Sequence, residues 1–218
     1  MFDLVTPAGV AQVTSRLAGE VNILNLLAAF TAAHARGVPF HQLIAAIPNL
    51  NPVPGRFQSV DAGQPFIVIV DYAHTDDALR NLTTLARQMT AKTKGHVITV
   101  FGCGGDRDRT KRPKMGQAAG KGSDFVVATS DNPRTEEPLA ILAEIEPALK
   151  ETGVKYVVEP DRAAAIRIAL EAAKPADIVL IAGKGHEKVQ IVGFTSIPFD
   201  DSETSLSVLR DMGYGKEQ

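Results

Sequence analysis

Short apolar runs alternate with helical patterns over most of this chain. Five runs rich in β-branched residues stand at 66–71 (FIVIVD), 96–101 (HVITVF), 124–130 (DFVVATS), 155–160 (KYVVEP) and 177–183 (DIVLIAG). They are continuously apolar rather than alternating, as strands buried on both faces are. Between them the period becomes helical. Ala78, Leu79, Leu82, Leu85, Ala86 and Met89 share one face behind Thr75, a predicted N-cap. Ile166, Ala169 and Leu170 do the same behind Asp161. A further helix is predicted from Pro138, with Pro147 expected to end or kink it. Strands and helices in this alternation predict an α/β fold, a doubly wound, mainly parallel sheet.

The first quarter has another texture. Residues 21–47 read as helical, with Ile23, Leu26, Leu27 and Phe30 recurring at helical spacing and Gly37 and Pro39 as punctuation. PNLNPVPGRFQ follows, and Pro48, Pro52, Pro54 and Gly55 within it predict a domain boundary.

Polar clusters follow four of the strands: DYAHTDD, GCGGDRDR, DNPR and GKGHE. In an open α/β sheet, ligands bind beyond the carboxyl ends of the strands, so these clusters predict a site. Each also has a plainer reading. Gly102, Gly104 and Gly105 suit a backbone cradle for an anion or an ordinary tight turn, and they do not form G-x-G-x-x-G. Arg107 suits a carboxylate or phosphate, or pairs with Asp106 or Asp108. Asp71 suits ribose hydroxyls or a metal-bound water, or it caps backbone donors as Thr75 does. AGKGHE is not a P-loop, which needs G-x-x-x-x-G-K followed by Ser or Thr. Glu187 in it suits an ammonium, and Gly183 lets a ligand approach the backbone; the plainer reading is a capped turn. Asn22 and Asn25 share one helix face, as surface polar residues commonly do. Asp131, Asn132, Pro133 and Arg134 either cap a turn or hold a ligand carrying both charges. His34, His41 and His96 carry no functional reading.

Composition narrows the classes. Apolar residues make up 44% and charged residues 22%, values of an ordinary globular protein. The 23 basic and 25 acidic side chains leave a net charge of −2 with no basic block, which argues against nucleic acid or an anionic membrane as partner. A lone cysteine, Cys103, rules out an internal disulfide and fits a reducing, cytoplasmic compartment. No secretory signal is visible, and no apolar run approaches the roughly 20 residues of a membrane helix.

Taken in order, VPGRF, VDYAHT, FGCGGDRDRTKRPKMG, TSDNPRTEEP, IAGKGHE and PFDD closely resemble the carboxyl-terminal half of a Mur ligase, in the branch that adds meso-diaminopimelate. The resemblance spans nearly the whole chain. It implies that residues 54–218 form a Rossmann-like carboxyl-terminal domain. Residues 1–53 would be the helical end of the family's central ATPase domain. The implied reaction belongs to peptidoglycan biosynthesis. ATP and Mg2+ phosphorylate the γ-carboxylate of UDP-MurNAc-L-Ala-D-Glu, and the amine of meso-diaminopimelate attacks the acyl phosphate to form an amide.

By matched position, Arg107, Asp131, Asn132, Pro133, Arg134, Gly183 and Glu187 resemble the family's diaminopimelate contacts. Asn25, Arg56, Asp71 and His74 resemble groups that face the nucleotide. The resemblance assigns no catalytic residue and no metal ligand to this chain. Meso-diaminopimelate differs from lysine by a distal carboxylate, which a guanidinium such as Arg134 binds bidentately. Asp131 and Glu187 then serve the ammonium ends. Two departures stand out: Asp76 where the family has proline, and Ser202 where a basic residue is frequent. The family's P-loop, carbamylated lysine and UDP-binding domain have no counterpart here, so the chain is expected not to ligate alone. Ile23, Leu27 and Phe30 are then expected to lie exposed and to favour self-association. Two rivals carry less. One is a stand-alone binding module for diaminopimelate or a cell-wall peptide; the other is a nucleotide-dependent oxidoreductase, which lacks G-x-G-x-x-G after its first strand.

Overall fold

The computed structural model describes residues 1–15, 17 and 19–215, without the side chains of Glu20 and Val21. Arg16, Ala18 and residues 216–218, which belong to stretches read above, lie outside the described residues. The chain divides into two units, Met1–Val53 and Pro54–Gln218, and the division falls within the proline-rich stretch.

In the first unit, strands β1 (Phe2–Thr6) and β2 (Gly9–Val13) form an antiparallel hairpin. Helices α1 (Glu20–Ala35) and α2 (Phe40–Ala46) follow, then a 3-10 turn at Ile47–Asn49. Leu4, Val13, Leu26, Phe30 and Ile47 are buried together in a small core. The expected exposure of Phe30 is not observed. It packs edge-on against Phe40 at 5.6 Å, and the hairpin residues Leu4 and Val13 join its cluster. Ile23 and Leu27 are half-buried.

The second unit is built on a six-stranded sheet of order β3-β4-β8-β5-β6-β7. Its strands are β3 (Gln58–Ser59), β4 (Ile67–Asp71), β5 (Val97–Phe101), β6 (Phe125–Ala128), β7 (Lys155–Val158) and β8 (Ile178–Ala182). Only β3 runs antiparallel to its neighbour. Helices α3 (Asp76–Thr90), α4 (Lys111–Gly122), α5 (Pro138–Thr152) and α6 (Arg162–Ala172) connect the strands. A hairpin, β9 (Val189–Val192) with β10 (Thr195–Pro198), and helix α7 (Asp201–Asp211) complete the unit.

The continuous apolar runs have a direct cause. In β8, Ile178, Leu180 and Ala182 enter a core with Leu79, Leu82, Met115, Ile141 and Leu149 of α3, α4 and α5. Val179 and Ile181 enter a second core, with Ile166, Leu170, Val208 and Leu209 of α6 and α7. Both faces are covered, so neither can be polar. The caps are as read: Thr75 Oγ1 accepts from Ala78 N at 3.2 Å, and Asp161 Oδ1 from Ala164 N at 3.0 Å.

Pro147 does not end its helix. The helix runs through it to Thr152 and stops at Gly153, which adopts φ 72°. Ile141, Leu142 and Ile145 before the proline and Ala148 and Leu149 after it are all buried, so packing on both sides offsets the missing hydrogen bond. Among the described residues no helix is long and apolar enough to cross a membrane.

Candidate functional site

The parallel strands end at one edge, and their loops enclose a cavity of about 500 Å3, within the range of small-molecule sites. Tyr72 and His74 come from the loop after β4, and Gly102, Cys103, Gly104, Arg107 and Asp108 from the loop after β5. Asp131, Asn132 and Arg134 follow β6, Gly183 and Glu187 follow β8, and Lys111 and Met115 extend the wall from α4.

The two arginines stand apart from the others of the wall and floor. Arg109 and Arg112 are both paired with Glu144, and Arg162 with Asp201. Among the described residues, no carboxylate lies in ion-pair range of Arg107 or Arg134. The neighbours that offered Arg107 a plain explanation are engaged elsewhere: Asp106 binds Thr135, and Asp108 binds Thr110. Arg107 keeps one bond, Nη1 to the Asp106 carbonyl at 3.1 Å.

Arg134 is half-buried, and its Nη1 donates to the Gly105 carbonyl at 2.8 Å. Its backbone sits at φ 52°, uncommon for a residue with a Cβ. The hairpin holds it there: Arg134 N donates to Ile191 O at 3.0 Å, and Gly193 N donates to Arg134 O at 2.6 Å.

The acidic side is deeper. Asp131 is buried, and that burial pushes its carboxyl up against the opposing pull of Arg162 and Lys184. Gly183 has φ 119°, and a Cβ there would stand 2.6 Å from Asp131 Oδ2. Glycine is thus required by conformation and by the approach of the carboxylate. Glu187 Oε2 accepts from Asn132 Nδ2 at 2.9 Å and from Lys184 Nζ at 3.3 Å. Pro133 is buried but does not line the cavity. Its carbonyl lies 1.9 Å from where a Cβ on Gly105 would be, so the glycines after β5 serve close approach of two loops. Gly105 N is spent on Asn132 O at 2.9 Å and is not free for an anion.

The candidate nucleotide-facing residues spread out. Asp71 accepts from Phe57 N at 2.7 Å and Ala73 N at 2.9 Å, which is the capping role. Burial pushes its carboxyl up, and those two bonds with Arg56 oppose the shift. Arg56 stacks over Tyr72 at 4.9 Å, and His74 and His186 flank the same ring at 4.5 and 5.1 Å. Asn25 belongs to the first unit, exposed on α1, and its Nδ2 lies 3.4 Å from Asn22 Oδ1.

Several residues in or behind the wall had no sequence signal. Lys184 sits between two glycines, a context that looks like a surface turn, yet it is fully buried. Tyr72 and His186 are brought together only by the fold. Cys103 also lines the cavity. Burial and the charge of Asp131 push its thiol up to about 12, so it stays protonated at pH 7 and is not a nucleophile. Asp200 and Asp201 of PFDD have structural tasks: Asp200 caps α7, and Asp201 pairs with Arg162. Among the described residues, no cluster of three His, Cys, Asp or Glu side chains has metal-site geometry.

Comparison with known proteins matches residues 55–185 to the family described as Mur ligase, glutamate ligase domain. A UDP-N-acetylmuramoyl-L-alanyl-D-glutamate--2,6-diaminopimelate ligase of Solibacter usitatus is 49% identical over 100% of this chain and 43% of its own length. A protein of the same name from Alkaliphilus metalliredigens is 50% identical over 97% of this chain and 42% of its own. The chain thus spans about two fifths of the relatives it matches. A solved structure of a ligase of that name superposes with a TM-score of 0.72 at 39% identity, covering 97% of this chain and 43% of that one. With a family match over more than half of its length and relatives about 50% identical across nearly all of it, the chain belongs to the Mur ligase family.

Proposed function

We propose that this chain supplies the amino-acid-binding part of an ATP-dependent ligase that adds meso-diaminopimelate to UDP-MurNAc-L-Ala-D-Glu in peptidoglycan biosynthesis. The observation that carries this reading is the pair of guanidiniums without carboxylate partners, Arg107 and Arg134, in one cavity with Asp131 and Glu187. That arrangement fits a ligand with two carboxylates and an ammonium. The names of the relatives, diaminopimelate ligases, support the same choice.

In this reading Arg107 and Arg134 take the carboxylates, and Glu187 with Asp131 takes an ammonium. Gly183 opens the wall beside Asp131, while Asn132 and Pro133 shape the loop that carries Arg134. ATP with Mg2+ supplies the acyl phosphate that the amine attacks, a step that belongs in the cytoplasm. These residues carry no P-loop, so phosphoryl transfer is assigned to none of them, and the chain alone does not ligate. Residues 1–53 are assigned to the end of the ATPase domain. Arg56, Asp71 and His74, with Asn25 of the first unit, are assigned to the nucleotide side.

Lysine lacks the distal carboxylate and would leave Arg134 without its ligand. A hydrogen bond to a charged group contributes about 1.5–3 kcal/mol, so the preference over lysine is on the order of 10- to 100-fold. The test is calorimetric titration of this chain with meso-diaminopimelate. Saturable binding, at least about tenfold weaker in Arg107→Ala, supports the reading. Absence of binding by wild type overturns it.

A further inference from the structure

Lys184 is the one lysine of the second unit with a fully buried side chain among the described residues. A lysine ammonium out of water is costly unless partners surround it. Here they do: Nζ donates to Asn132 Oδ1 at 2.8 Å and to Glu187 Oε2 at 3.3 Å, and Asp131 Oδ1 lies at 3.8 Å. All three partners line the cavity.

Asn132 ties the group together. Its Oδ1 accepts from Lys184 Nζ and from Ile191 N at 3.0 Å, which uses both lone pairs. Its Nδ2 donates to Glu187. Two donors therefore face the oxygen and an acceptor faces the nitrogen, so the amide can sit only one way round, with one N–H left over. Ile191 also accepts from Arg134 N, so the same hairpin strand holds both ends of the cavity.

We propose that Lys184 is a positioning residue that locks Asp131, Asn132 and Glu187 into one unit and offsets one of the two carboxylate charges, leaving a single negative charge for a ligand ammonium. This deepens the function proposed above and rests on it for the ligand's identity. Without Lys184, the cation left acting on Asp131 is Arg162, already paired with Asp201, while Arg107, Lys111 and Arg134 stand elsewhere in the lining of the cavity. Cys103 faces Asp131 as well and stays neutral. Burial and the neighbouring Glu187 would then push the Asp131 carboxyl further up, with the pull of Lys184 gone.

Lys184→Met tests this with two readouts that move in opposite directions. A carboxylate whose folded pKa is raised is destabilising above that pKa, and the loss disappears as pH falls through it. Without ligand, the melting-temperature deficit of Lys184→Met against wild type shrinks as pH is lowered, because the raised carboxyl takes up a proton. With ligand, affinity for meso-diaminopimelate falls more steeply with falling pH in the variant than in wild type, because a proton on Asp131 removes the ammonium's partner. The double variant Lys184→Met with Glu187→Gln recovers part of the lost stability, because one of the two carboxylates is gone, and it folds even where the single variant does not. A deficit independent of pH, or a double variant no more stable than the single one, overturns the proposal. Wild type failing to bind meso-diaminopimelate refutes the function proposed above, and the ligand-free measurements then decide the role of Lys184 by themselves.

Discussion

Asp201→Ala is predicted to be the most damaging single truncation beneath the candidate site. Arg162 and Asp201 have side chains at 0% exposure and meet in a bidentate pair, Nε to Oδ1 at 2.7 Å and Nη2 to Oδ2 at 2.8 Å. The guanidinium also reaches Ser130 O at 3.3 Å and Ala182 O at 3.0 Å, the carboxyl ends of β6 and β8, so it pins the two loops that carry Asp131 and Gly183. Burial disfavours the guanidinium's charge, and Asp201, with Asp131 and Glu187, more than offsets this, holding the Arg162 pKa above its ordinary value. Removing Asp201 leaves a buried cation that cannot lose its proton, at a cost of about 3–5 kcal/mol. For a domain of this size that lowers the melting temperature by roughly 6–20 °C. Urea unfolding measures it as a lower midpoint at unchanged slope. The double variant Asp201→Ala with Arg162→Met is less destabilised than the sum of the two single variants by at least about 1 kcal/mol. A loss under about 1 kcal/mol in Asp201→Ala, or strict additivity, would refute the reasoning.

Three other outcomes follow from single contacts. Glu136 is held at a pKa of about 2, against an ordinary 4.5, chiefly by the Arg112 guanidinium and by the Asp106 N–H. A depressed carboxylate stabilises above its unfolded pKa, so the stability gap between wild type and Glu136→Gln stays level above pH 4.5 and closes as pH falls from 4.5 to 2; a gap that persists at pH 2 contradicts this. Pro147 is exposed, so Pro147→Ala restores a helix N–H without opening a cavity, and chemical denaturation should show a gain of about 1–3 kcal/mol; a loss means that the ring packs in a way the burial does not show. Gly183→Ala places a Cβ against Asp131 Oδ2 at a φ of 119°, which costs about 1–3 kcal/mol and weakens ligand binding more than Pro147→Ala does; equal binding in both variants rejects that role for Gly183.

The sheet was legible because burial on both faces writes itself into the chain. Runs such as DIVLIAG could be little else, and the caps at Thr75 and Asp161 are local chemistry that needs no tertiary contact. The strand-end rule placed the cavity, since DNPR, GCGG and GKGHE had to meet at one edge once the strands were parallel. What was not legible depends on neighbours distant in sequence. Pro147 signals a break locally, and only packing on both sides keeps the helix whole. Phe30 was expected to be exposed because the rest of the family's central domain has no counterpart here, yet it joins Leu4 and Val13 of the hairpin in a small core. Lys184 looked like a turn lysine until the loop after β6 closed over it. Likewise the pairing of Arg107 with a neighbouring acid could be set aside only once Asp106 and Asp108 were seen to bind threonines.

The central claim is that Arg134 reads the distal carboxylate of the incoming amino acid. The measurement is the ratio of affinities for meso-diaminopimelate and L-lysine, by calorimetry, in wild type and in Arg134→Ala. The prediction is a ratio on the order of 10- to 100-fold in wild type that collapses toward unity in the variant, through weaker diaminopimelate binding rather than tighter lysine binding. Equal affinities in wild type, or a ratio unchanged by Arg134→Ala, would contradict it.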